Sequence, residues 1–73
     1  MNQMNTNMVN WAVVCVNEFA RNRKLSPRTA FRYLKNHGGI EFIDNHYEAE
    51  HLLSLDDAVE DLGIVCQNNG GNL

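Results

Sequence analysis

Three groups of side chains in this 73-residue chain have types and spacings that suit chemistry. His46 and Glu50 stand four residues apart with His51 next in line, the way a helix offers imidazole and carboxylate to a metal ion. Only His46 and Glu50 would share a helix face, and a metal site needs three or four ligands in a defined geometry, so no metal is expected. The simpler expectation is a half-exposed His46 and a His51 whose ring caps a carbonyl or packs on Tyr47. Cys15 or Cys66 with a histidine would make a nucleophile pair, but neither cysteine sits near a helix start or a cation that would lower its pKa. Both fall on the inward faces of predicted helices, where free cysteine acts as a small buried hydrophobe. Gly38-Gly39 lacks the spacing and the following lysine of a phosphate-binding loop. Glu60 and Asp61 read as ordinary surface charge. The residues therefore predict a protein without catalytic activity and without a cofactor.

The stretch Leu25-Ser26-Pro27-Arg28-Thr29-Ala30-Phe31-Arg32-Tyr33-Leu34 looks like the second helix of a helix-turn-helix DNA reader, with short polar and basic side chains near its N-terminus. Charge works against that reading. All six basic residues lie between Arg21 and Lys35, so residues 1–39 carry six cations less Glu18, or +5, and residues 40–73 carry −8. An acidic half of that size opposes a phosphate backbone whose neutralisation supplies most non-specific affinity. The stripe Arg28, Arg32 and Lys35 is accordingly expected to be solvated or to meet protein, with DNA binding as the alternative. A small domain divided into positive and negative regions reads as a binder, of another protein or of its own copy.

The elements that must carry these residues are helices. There is one proline, no alternating strand pattern, and the glycines gather where helices would end. A first helix is predicted from Asn5 or Asn7 to Arg23, with apolar residues around most of its circumference, so that it is either wrapped by the others or part of a subunit interface. Arg21, Arg23 and Lys24 suit its C-terminus. Ser26-Pro27 starts a second helix to Asn36 or His37, burying Ala30, Phe31 and Leu34 and ended by Gly38-Gly39. A third is predicted from Ile40 or Glu41 to Glu50, burying some combination of Phe42, Ile43, Tyr47 and Leu52. Ser54 with Asp57 starts a fourth, to Cys66. Its inner face is Leu55, Ala58, Val59, Leu62, Val65 and Cys66, and its outer face is Asp56, Asp57, Glu60 and Asp61, interrupted by Ile64. The fold expected is a small all-α bundle of three to four helices over residues 7–66, with flexible tails at 1–6 and 67–73.

The segment Tyr47-Glu48-Ala49-Glu50-His51, followed by Ser54 and Asp57-Ala58-Val59-Glu60-Asp61-Leu62, resembles a bacterial family of short proteins of unknown function. Its pattern is Tyr-Glu-x-x-His, a polar turn, then Val-x-Asp. Val14-Cys15-Val16-Asn17-Glu18-Phe19-Ala20 before Leu25-Ser26 is similar too, and the likeness extends from Asn10 to Cys66. The resemblance implies no catalytic residues, and a place beside toxin-like enzymes that would suit a small neutralising partner. It singles out Tyr47, Glu48 and His51, with Glu50 standing where an apolar residue is expected and Leu53 where a polar one is.

Taken together, these readings predict a non-enzymatic protein-binding domain, antitoxin-like in kind, that contacts its partner through Asp56, Asp57, Glu60, Asp61 and Ile64. The runner-up expectations are a helix-turn-helix DNA binder using Arg28, Thr29 and Arg32, and a homodimer in which the basic second helix meets the acidic fourth. The polar opening residues and the short apolar run Met8–Val16 predict no membrane span and a cytoplasmic protein with reduced cysteines.

Overall fold

Three of the four helices begin on a side chain that accepts a free backbone N–H, as the sequence leads one to expect. The computed structural model describes residues 5–73. Asn5 Oδ1 accepts from Met8 N at 2.9 Å and opens α1, Thr6–Arg23. Ser26 Oγ accepts from Thr29 N at 3.1 Å and opens α2, Pro27–Asn36, with Pro27 in the first turn. Ser54 Oγ accepts from Asp57 N at 3.2 Å and opens α4, Leu55–Asn68. Helix α3, Gly39–Glu50, has no side-chain cap; the chain enters it through Gly38 at φ 81°, a left-handed conformation that costs glycine little.

Helix α1 closes on Lys24, also left-handed at φ 57°, and Leu25 N–H reaches back to the Ala20 carbonyl at 2.8 Å. That bond satisfies a carbonyl the helix end would otherwise leave open. Inside α3 the backbone leaves helical geometry at His46 (φ −121°, ψ 20°), which kinks the last turn.

The core combines Cys15, Val16, Phe19 and Ala20 of α1 with Ala30 and Leu34 of α2, Ile43 of α3, and Ala58, Val59, Leu62 and Cys66 of α4. Close approach at the start of α3 requires a glycine. A Cβ on Gly39 would lie 2.8 Å from Leu34 Cδ2 and 3.2 Å from Cys66 Sγ. Tyr33 sits at the edge, stacked on Phe19 at 5.8 Å between ring centroids.

Several expectations are corrected by this packing. Helix α1 touches α2, α3 and α4 but is not wrapped by them, because Val9, Val13 and Val14 remain about half exposed. Phe31 is not an inner residue of α2: it is 46 % exposed, since Ala30 and Leu34 already fill the line facing the core. Ile43 supplies the buried side chain of α3, whereas Leu52 in the α3–α4 turn is 78 % exposed. Helix α4 runs two residues beyond Cys66. The residues after it lie against α2, where Tyr33 Oη accepts from Leu73 N at 3.0 Å and Gly71 N donates to the Cys66 carbonyl at 2.8 Å. Of the opening tail expected over residues 1–6, the first four fall outside the described residues and Thr6 is helical.

Candidate functional site

The acidic outer face of α4 is positioned by its own start. Ser54 fixes the first turn, and Asp56 and Asp57 occupy the end of the helix where the backbone dipole is positive, so the carboxylates are stabilised there. One turn on, Glu60 and Ile64 continue the same face. Together with Asn22 and Arg23 at the end of α1 these residues line a groove of about 570 Å³. Ile64 is 51 % exposed at its margin. The floor is Gly63. A Cβ there would meet Arg23 Nη2 at 2.5 Å, so glycine leaves room for the guanidinium to lie across the helix and over the Phe19 ring, 4.4 Å from its centroid.

Among the described residues no carboxylate of this face is in an ion pair. Among the described residues the ion pair is Arg21 with Glu18, within α1. The four residues Asp56, Asp57, Glu60 and Ile64 thus form one predominantly acidic surface with an apolar residue in it.

Asp61 does not belong to that surface. It turns towards the end of α3, where its carboxyl meets that of Glu50. Burial first, and then the hydrogen bond and charge of Asp61, push the Glu50 carboxyl up from 4.5 to about 7. Glu50 Oε1 is covered and has no hydrogen-bond partner.

Tyr47 and His51 are joined at the C-terminal end of α3, His51 being its cap residue. The rings stack at 4.3 Å, and His51 Nδ1 donates to the Tyr47 carbonyl at 2.6 Å, so capping and stacking occur together. Glu48 is exposed. His46 is exposed and packs on Phe42 at 4.8 Å. No group of three metal-ligating side chains occurs among the described residues. Cys15 and Cys66 are free and buried. Burial, with a smaller contribution from Glu50, pushes the Cys15 thiol up to about 12, and burial raises Cys66 as well, so neither supplies a thiolate near neutral pH.

Arg28, Arg32 and Lys35 are exposed on one side of α2, as expected. Beside them lies a feature the sequence reading missed. Val9 and Val13 of α1, Phe31 of α2 and Ile40 of α3 line an apolar groove of about 240 Å³. Its signal was present as the excess of apolar residues around α1, but the partners it would share the groove with depend on how the helices cross.

Four helices around a single core among the described residues, with acidic and basic surfaces on different helices, define a small all-α domain. The family model described as "Protein of unknown function (DUF3791)" matches residues 10–69, and the chain belongs to that family. No curated protein and no solved structure matches it. No helix among the described residues is long and apolar enough to cross a membrane.

Proposed function

We propose that the protein acts by binding another protein, without catalysis, through the acidic face of α4. The observation that carries this reading is Ile64, half exposed among Asp56, Asp57 and Glu60, none of which has a cation within ion-pairing distance among the described residues. Carboxylates left unpaired around an apolar residue suit a basic partner surface, where opposite charge speeds encounter and the apolar contact slows release. A basic substrate cleft on an enzyme that handles nucleotides or nucleic acid has that chemistry. The antitoxin-like form of the proposal is a domain that covers such a cleft. Two buried thiols, kept neutral by burial, support a cytoplasmic setting and a role that does not use cysteine as a nucleophile. The stripe Arg28, Arg32 and Lys35 on a DNA reader would have to overcome the −8 carried by residues 40–73.

The test is a comparative pull-down from the native host. A partner retained by wild type and by Arg28→Ala/Arg32→Ala, but lost with Asp57→Lys/Glu60→Lys, supports the α4 face. A partner retained equally by all three, or duplex DNA shifted by wild type and not by the arginine variant, overturns it.

A further inference from the structure

The apolar groove between α1, α2 and α3 is flanked on its α2 side by basic residues. Phe31 forms one wall, and Arg28, Arg32 and Lys35 stand on the same exposed side of α2, without a carboxylate within ion-pairing distance among the described residues. Val13 and Phe31 are each about half exposed. Such a groove fits an amphipathic helix with an apolar residue set among acids.

This chain carries such a helix on its own surface. On α4, Asp57, Glu60 and Ile64 run over seven residue steps, as do Arg28, Arg32 and Lys35 on α2, so each row is about 10.5 Å long at about 1.5 Å per step. We infer that the groove receives the α4 face of a second copy, with Ile64 between Val13 and Phe31 and the carboxylates of Asp57 and Glu60 against Arg28 and Arg32. The contact joins two different surfaces, so every copy offers both halves and the association is head to tail. It rests on the α4 face being a contact surface, and it makes self-association compete with the partner for that face.

Sedimentation of the full chain at low and high salt, with two variants, tests this. Wild type is expected to self-associate at low salt and to loosen at least tenfold at high salt as the charges are screened. Phe31→Asp and Ile64→Lys, both at half-exposed positions and verified as folded by circular dichroism, are each expected to remain monomeric. An equimolar mixture of the two is expected to form a one-to-one complex and nothing larger, because one supplies an intact α4 face and the other an intact groove. Arg28→Glu/Arg32→Glu mixed with Asp57→Lys/Glu60→Lys gives a second pair that leaves the apolar contact untouched and should also associate.

Wild type that stays monomeric at low salt up to its solubility limit would overturn the inference, as would a mixture of Phe31→Asp and Ile64→Lys that forms no complex. Partner binding by Phe31→Asp is the separate readout. Retained partner affinity with a failed mixture rejects the self-contact alone, whereas wild-type partner affinity in Asp57→Lys/Glu60→Lys rejects the α4 face itself.

Discussion

Glu50 at the end of α3 and Asp61 in the middle of α4 are near enough that burial, and then Asp61, push the Glu50 carboxyl up towards neutrality. Two ionised carboxylates at that separation repel, and the covered Glu50 Oε1 has no N–H to accept from. Cys15 faces the pair from α1 as a neutral thiol and offers no counter-charge. Protonation of Glu50 therefore favours the folded α3–α4 junction.

Stability should fall as pH rises through neutrality. Glu50 has a folded-state pKa of about 7 against 4.5 unfolded, so its contribution is complete below 4.5 and lost as pH passes about 7. Each pKa unit is worth about 1.4 kcal/mol in full. Glu50 is partly open to water, so the screened change is about 1 kcal/mol. Urea unfolding at about pH 5 and about pH 8.5 measures it. Glu50→Gln, which can donate to Asp61, is expected to flatten the dependence and to be the more stable protein at the higher pH.

Ser26→Ala and Ser54→Ala should each cost about 1 kcal/mol, because each leaves one helix-start N–H without its acceptor. The two caps lie on different helices, so the double variant is expected to show the sum. Denaturant midpoints with an unchanged m-value would verify that the caps act locally.

Gly39→Ala should be costlier than a cap, by about 1–3 kcal/mol, since the new methyl would press on Leu34 and Cys66 in the core. The same change at Gly63 presses instead on the end of the Arg23 side chain, which can move. Its expected effect on stability is small, and it should shift Arg23 within the α4 groove. Thermal unfolding of the two variants separates the cases.

Cys15 and Cys66 should be silent to a thiol reagent in the native protein and react together on unfolding. Both are buried, and burial raises both thiols. The reaction rate of the folded protein then reports the opening of the core, and it should rise in Gly39→Ala in step with lost stability.

Most of the fold was legible because it is written in local signals. Ser26-Pro27 and Ser54 mark helix starts by short-range hydrogen bonding and backbone preference and act at the places expected, while of the open pairs Asn5 or Asn7 and Gly38 or Gly39 it is Asn5 that caps α1 and Gly38 that turns left-handed. What was not legible depends on helix crossing. Periodicity places Phe31 on the apolar side of α2, but whether it meets the core or a groove is decided by the position of α1, and Val13 is exposed for the same reason. Asp61 likewise belongs to the acidic side of α4 by spacing alone. The end of α3 approaches it, and Glu50 takes it out of the outer surface. The docking of residues beyond Asn68 on Tyr33 is a long-range contact with no local signature.

The α4 face is tested most directly by titrating the captured partner against wild type and Asp57→Lys/Glu60→Lys at low salt. At least tenfold weaker binding with slower association in the variant is the predicted result. Equal affinity and equal association rate would contradict the account.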